Sequence, residues 1–454
     1  MRRRSEWNRV VRCWLALSLA ACASIGERVP PAGEAASGGR VVLGPMVGHV
    51  TERTARIWVE VDRPGRLEVA LSSAEGDVES GSTRVPGPAG GIALVDVGDL
   101  QPSTAYRASF DLDGVPLAVE PEVAFRTFPR PGSPSRIRIA LVSCARVSWD
   151  SIQPAWHAVA AERADAIVWL GDNGYLEHAD SARLADYASA ERIEYRYREI
   201  KALRTVQPVL RTMANYAIWD DRDYGDSDSD RTNPLRQEVA ETFERYWANP
   251  AYGREPGLDG IYGRFALGGA EVFLIDDRFW RDPDSLPDSP AKTVLGSDQK
   301  EWLKQALAAS EAPLKVIAIG HQVLADYHQW ESYAMFAHER RELMEWIRDQ
   351  RIEGVMFVSG DRHLSELMRD DRPDLYPLYE LTASPIANRP FVTGLELPNP
   401  IRIDGYAAGD SYGILELDTT EPPGRLTISI KDAAGREVVR HEVALDDLGF
   451  ESGG

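Results

Sequence analysis

Short apolar strands that end, one after another, on residues able to hold a metal ion constrain this chain more than any other feature. Ser143-Cys144 follows the strand-like run 136–142, Gly171-Asp172 follows 166–170, and Asp220-Asp221 closes 216–219. Gly320-His321 ends 314–319, and Asp361 with His363 stands just past 354–358. Helical patterns separate them at 150–163, 181–206, 235–247, 297–309 and 339–349. The first of these places Ile152, Trp156, Val159 and Ala160 on one face, and Pro208 is read as the stop of the second. Further strands are expected at 262–267, 271–275, 378–382, 412–417, 426–431 and 438–443. This alternation predicts an α/β body, in which ligand sites assemble at the carboxyl ends of strands. One Asp after a strand is commonly only a turn residue. A series of such ends is a donor set suited to two or more cations, with a carboxylate to bridge them.

Residues 41–130 carry a different pattern. The runs 55–61 and 66–71 alternate in polarity around a Pro64-Gly65 turn, and strands are expected at 108–112 and 123–128. Short strands at such spacing suggest a small β-sandwich, and the Pro/Gly/Ser cluster 129–134 reads as the linker to the body. At the other end of this module, Arg2, Arg3, Arg4, Arg9 and Arg12 precede an apolar run, 13–21, and then Cys22. That is the layout of a secretory signal over 1–21. Leu19-Ala20-Ala21-Cys22 resembles a bacterial lipobox, in which the Cys22 thiol takes a lipid. Residues 22–40, rich in Gly, Ala and Pro, then form a flexible tether. The expected location is the cell envelope: lipid-anchored through Cys22, at the outer membrane in a host with two membranes, or periplasmic.

No apolar run is long enough for a transmembrane helix. Acidic residues outnumber basic ones 71 to 51, for a net charge of -20, which argues against a nucleic-acid surface. Of the three cysteines, Cys13 leaves with the signal and Cys22 is lipidated, so Cys144 has no disulfide partner. It is a metal ligand or a buried apolar thiol.

Several segments together carry a resemblance. They are Ala140-Leu-Val-Ser-Cys144, Val168-Trp-Leu-Gly-Asp172, Ala217-Ile-Trp-Asp-Asp-Arg-Asp-Tyr-Gly225, Leu274-Ile-Asp-Asp-Arg278, Val358-Ser-Gly-Asp-Arg-His363 and Glu380-Leu-Thr-Ala-Ser-Pro385. In this order they resemble the PhoD-like (alkaline phosphatase D) family of calcineurin-like metallophosphoesterases over roughly 136–445. The resemblance implies a four-layer α/β/β/α sandwich at 136–445, preceded by an immunoglobulin/fibronectin-III-like domain at 41–130. It implies a hydrolase of phosphate mono- or diesters that uses metal-activated water, with Fe3+ and Ca2+ as cofactors. Cys144 is then a thiolate ligand of iron, Asp172 the bridging carboxylate and Tyr175 a phenolate on the ferric ion. Asp221 serves the second metal, and Asp361 and His363 are paired ligands, Asp361 also counting as catalytic. His321 falls where the wider superfamily places another His ligand.

The chain departs from the family at one catalytic position. Where Trp-Asp-Asp-His-Asp is usual, Arg222 replaces the imidazole expected near the leaving-group oxygen. A guanidinium cannot usefully donate a proton, but it can stabilise charge on phosphoryl oxygens. Asp226, Asp228 and Asp230 lack the spacing of a calcium loop and read as a solvated acidic turn. A monomer acting on a phosphate-ester substrate is expected. The alternatives are a phospholipase D-like diesterase on lipid or cell-wall diesters, and a non-catalytic surface lipoprotein that binds a phosphorylated ligand. A full ligand set speaks against the latter.

Overall fold

The computed structural model describes residues 39–87, 90–148, 152–176, 189–252, 260–326 and 331–451. The signal segment, Cys22 and nearly all of the tether lie outside the described residues. Among those described, no helix is long and apolar enough to cross a membrane.

The N-terminal module is β-rich and built of two sheets. One has the order Val41–Val50, Ala55–Val61, Gly91–Val97. The other runs Val78–Val85, Gly65–Ser73, Ala105–Leu112, Val115–Leu117, with Val123–Arg126 also paired to Ala105–Leu112. Alternation decides which strands sequence alone reveals. Gly65–Ser73 buries Leu67, Val69 and Leu71 on one face. Val78–Val85 has little apolar content and buries only Val85. It is a strand because its backbone pairs with Gly65–Ser73 from Val78 to Val85 at the sheet edge.

The body holds two larger sheets. The first has the order Ala214–Ile218, Ala166–Leu170, Arg136–Val142, Ser411–Asp418, Arg425–Asp432, Glu437–Ala444. Its first three strands are parallel. The second runs Gly263–Leu267, Ala270–Leu274, Leu314–Ala318, Val355–Ser359, Leu378–Thr382, Ser365–Asp370, Arg402–Tyr406, with the second to fifth of these parallel. Ala166–Leu170, Ala214–Ile218, Leu314–Ala318, Val355–Ser359 and Leu378–Thr382 are buried at every residue. That is why they read as continuous apolar runs rather than alternating ones. A Cβ on Gly413 would meet Leu381, Ala383 and Leu141, so the two sheets face each other there across a single apolar core.

Two helical expectations change. The first helix is only Ala155–Ala161, and Ile152 lies before it, 72% exposed instead of on an apolar face. Pro208 does not end helical structure. The helix Ala190–Ala202 stops at Leu203, and Pro208 lies in the first turn of a second helix, Gln207–Thr212. A proline has no N–H to lose there, because first-turn donors have no partner inside the helix.

That second helix ties the β module to the body. The buried Arg211 donates through Nη1 to the Pro121 carbonyl and through Nη2 to the Gly44 carbonyl, each at 2.7 Å. Nearby, Asn215 donates to the Val47 carbonyl at 3.2 Å and the Val50 N–H donates to Tyr216 Oη at 3.1 Å. Trp58 Nε1 donates to the Arg245 carbonyl at 2.8 Å, and Lys201 Nζ lies 3.4 Å from Met46 Sδ. Replacing Arg211 by methionine keeps the stem but takes a donor from the buried Gly44 carbonyl and from the carbonyl of Pro121. Arg211→Met should lower the unfolding free energy by about 2–4 kcal/mol, read by urea denaturation. A loss below about 0.5 kcal/mol, the range of an ordinary surface substitution, would show that these bonds do not hold the junction.

Candidate metal centre

The carboxyl ends of the parallel strands of both sheets converge on one cavity of about 450 Å³. Its lining includes Asp172, Tyr175, Asp221, Arg222, Asp361 and His363. Cys144 lies buried beneath it as a free thiol. Sγ of Cys144, a carboxylate oxygen of Asp172 and a ring nitrogen of His363 fall within 4.8 Å of one another. Tyr175 Oη is 3.3 Å from His363 Nε2. Asp172 is also grouped with Asp220 and Asp221. Thus Cys144, Asp172, Tyr175, Asp221 and His363 come together, and Asp361 faces the same space.

These residues leave their strands through unusual backbone. Cys144, Asp172, Tyr175, Asp361 and His363 have φ of 57°, 58°, 31°, 62° and 53°. Non-glycine residues rarely adopt this left-handed region, and it clusters at functional sites. Local hydrogen bonds hold it. The Cys144 and Ala145 N–H groups donate to the Gly171 and Asp172 carbonyls at 3.2 and 3.0 Å. Asp223 accepts the N–H groups of Asn173 and Gly174 at 2.9 and 2.7 Å, which fixes the turn between Asp172 and Tyr175. Gly171 itself, at φ 91°, has no room for a side chain: a Cβ would lie 2.4 Å from that of Asp220.

Electrostatics shows that this cluster is suited to cations. Burial first, then repulsion from Asp221, Asp223 and Asp361, raises the Asp172 pKa well above the carboxylate range. Burial, with Asp221 and Glu331, pushes Asp361 up to about 7 against the pull of Arg362. The Cys144 thiol is driven up by burial and by Asp172 and Asp361, and the Tyr175 phenol by burial and by Asp172 and Cys144. Burial takes His363 down to about 4, leaving a neutral imidazole whose lone pair is available. Thiol, phenol, imidazole and carboxylates that repel one another in a buried pocket are a metal-type donor set, and bound cations would reverse each of the upward shifts.

His321 lies elsewhere. It does not line the cavity; its buried Nδ1 is 2.7 Å from Asp277 Oδ2, and it groups with Asp277 and Asp220. Arginine shares that region and holds Glu331 and Asp277 low, while burial keeps Asp220 raised. Arg278 contacts Asp220 and Glu331, and Arg281 lies 2.8 Å from Glu331, all of them buried. The expected acidic turn also differs. Asp228 lines the cavity, groups with Asp221 and Glu331, and donates its N–H to Asp221 at 2.9 Å. Sequence reasoning missed Glu331, Arg146, Asn388 and Arg389, which line the cavity from loops and carry no strand-end signal.

A two-sheet α/β body with metal-type donors at its converging strand ends has the architecture of a metallophosphoesterase. Residues 139–407 match the family model of the PhoD-like phosphatase, and the chain belongs to that family. Residues 39–130 match a domain of unknown function (DUF7800). Alkaline phosphatase D of Bacillus subtilis (strain 168) is 23% identical over 342 residues, 66% of this chain and 57% of that protein. The chain thus spans little more than half the length of this relative. A solved structure of PhoD superposes with a TM-score of 0.68 at 16% identity, covering 87% of this chain and 91% of the other. A purple acid phosphatase from yellow lupin (Lupinus luteus) seeds gives 0.63 at 13% identity, covering 88% and 74%. Both show a shared fold.

The raised carboxyls predict a pH dependence. Asp223 and Asp361 titrate at about 7 in the folded chain, against 3.8 unfolded. The folded state therefore binds more protons than the unfolded one, and stability falls as pH rises through about 7. The four lowered histidines, His49, His321, His363 and His441, act in the opposite sense, chiefly below their unfolded value of 6.5. Chelator-treated protein should thus lose about 1–2 kcal/mol between roughly pH 6.5 and 8, and added metal should remove the share of that loss that comes from Asp361, about half. Thermal stability of the chelated protein that is flat or rising across this window contradicts the assignment.

Proposed function

We propose that this chain is an exported phosphoesterase that hydrolyses phosphate esters in the cavity above Cys144. One observation carries the reading: Cys144, Asp172, Tyr175 and His363 gather at one point, with Asp221 beside Asp172. In this reading Cys144, Asp172, Tyr175 and His363 hold Fe3+, because a hard trivalent ion keeps a phenolate that a divalent ion would leave protonated. Asp172 also serves a second ion, Ca2+, with Asp221 and Asp361. Bound there, the ions would supply Lewis-acid stabilisation of phosphate oxygens and make water a nucleophile near neutral pH.

The side chains do the rest. Arg222 orients the phosphate and stabilises charge on its oxygens. Its N–H donates to Asp172 at 3.1 Å and its guanidinium lies 5.7 Å from the centre of the Tyr175 ring, so the residue is tied to the donor set. Asp361, at the cavity floor, accepts a proton from incoming water. Position 222 lacks a proton donor for the leaving oxygen, so esters with acidic leaving groups are favoured. The wider reading keeps a lipid anchor at Cys22, an envelope location, a monomer, a four-layer body and an immunoglobulin-like N-terminal module. Its support is the order of segments along the chain.

The test is hydrolysis of aryl and alkyl phosphates, with p-nitrophenyl phosphate and its bis ester side by side, by iron- and calcium-loaded protein. Arg222→Ala should cost about 2–4 kcal/mol of transition-state stabilisation, as lost oxyanion contacts do. Arg222→His should raise turnover of alkyl esters more than of aryl esters. If no ester is hydrolysed with any metal, the function is wrong. An unchanged leaving-group dependence in Arg222→His would remove residue 222 from the leaving oxygen.

A further inference from the structure

The cavity wall carries more arginine than one phosphate requires. Arg146, Arg222, Arg362 and Arg389 all line it. They divide into two pairs. The inner pair lies against the acids assigned to metal: Arg222 Nε is 3.9 Å from Asp221 and Arg362 Nη1 is 3.7 Å from Asp361. The outer pair has a separate foundation. Ala145 and Ala387 form an isolated parallel bridge, and the Arg146 N–H donates to the Ala387 carbonyl at 2.9 Å. Arg146 and Arg389 therefore leave two backbone segments that are pinned together, one following the first sheet and the other the second. Arg389 is exposed and Arg146 half-buried, which puts them toward the mouth. The Arg146 guanidinium is 5.1 Å from the centre of the Tyr175 ring, an arrangement that keeps it turned to the cavity.

Planar guanidiniums recognise carboxylate and phosphate through paired hydrogen bonds. Two of them mounted on these pinned segments toward the mouth form a second anion station. We infer that Arg146 and Arg389 bind a second anionic group, a carboxylate or a phosphate, carried by the leaving group. The substrates are then phosphate esters doubly anionic in the sense of two separate anionic groups, the scissile phosphate and a second one on the leaving group. This rests on the phosphoesterase reading and adds the class of ester. The scissile group occupies the floor with Arg222, and the second charge lies outward along the wall of Pro390 and Phe391.

The test compares three esters on metal-loaded protein: phenyl phosphate, 4-(carboxymethyl)phenyl phosphate and 4-(phosphonomethyl)phenyl phosphate. Their leaving phenols are of similar acidity, so chemistry is matched. The two doubly anionic esters should show kcat/KM about tenfold higher or more, mainly through KM, and R146Q/R389Q should reduce that preference to below about threefold. The comparison between carboxylate and phosphonate arms identifies which anion the station prefers. Calorimetric binding of benzylphosphonate and 4-carboxybenzylphosphonate gives the same comparison without turnover. A preference in binding with no hydrolysis of any ester supports the anion station and sinks the phosphoesterase reading. Equal kcat/KM and equal affinity for singly and doubly anionic probes overturn the inference, as does a preference that survives in R146Q/R389Q.

Discussion

Burying carboxylates against one another is the constraint on which this molecule turns. Asp172, Asp220, Asp221, Asp277 and Glu331 are all buried at the junction of the two sheets. Unpaired charges in such a place cost several kcal/mol each. The chain answers in two ways. Behind the cavity, Arg278 and Arg281 are themselves buried among the acids; despite the cost of burial they hold Glu331 down to about 2, and Arg278 with His321 keeps Asp277 low, while Asp220 stays raised by burial even beside Arg278. At the cavity floor Asp172 and Asp361 stay raised in spite of Arg222 and Arg362. The first half is a support in which arginine offsets most of the buried charge. The second half is an acceptor for cations, and the rest of the site follows from that asymmetry.

Precision at the floor comes from backbone more than from side-chain packing. Strands buried on both faces end abruptly, and the next residues enter the left-handed region at Cys144, Asp172, Asp361 and His363. Each of these conformations costs about 1–3 kcal/mol and persists only where its surroundings determine it. Here Asp223 grips the Asp172–Tyr175 turn, and the Ser384 hydroxyl, 3.3 Å from Cys144 Sγ, accepts the His363 N–H at 2.9 Å. Donors fixed in this way do not need to reorganise when an ion binds, which favours affinity and a defined geometry.

What could be read from the sequence follows the same logic. Cys144, Asp172, Asp221, Asp361 and His363 were legible because each stands within a few residues of an apolar strand end, where period and position reinforce each other. His321 satisfies that rule and groups with Asp277 and Asp220 rather than with the cavity residues, because a strand end fixes a residue's address but not its neighbours. Asp228 and Glu331 reach the cavity from loops, and nothing in local pattern distinguishes them from solvated acids. Arg389 likewise depends on the Ala145–Ala387 bridge, a contact between segments more than 200 residues apart. In the fold, Val78–Val85 was hidden because an edge strand can be defined by backbone pairing alone. Pro208 misled because a helix start and a helix stop share the same residue.

In the proposed site Cys144, Asp172, Tyr175 and His363 surround one ion, with a second beside Asp172 and Asp221. Anomalous X-ray diffraction from crystals of metal-loaded protein, with data on both sides of the iron edge, tests it most directly. The expected result is an iron peak in contact with Cys144 Sγ and Tyr175 Oη, and a second, non-iron peak sharing the Asp172 carboxylate. A fully active protein whose metal peaks lie away from Cys144, or beside His321 and Asp277 alone, would contradict it.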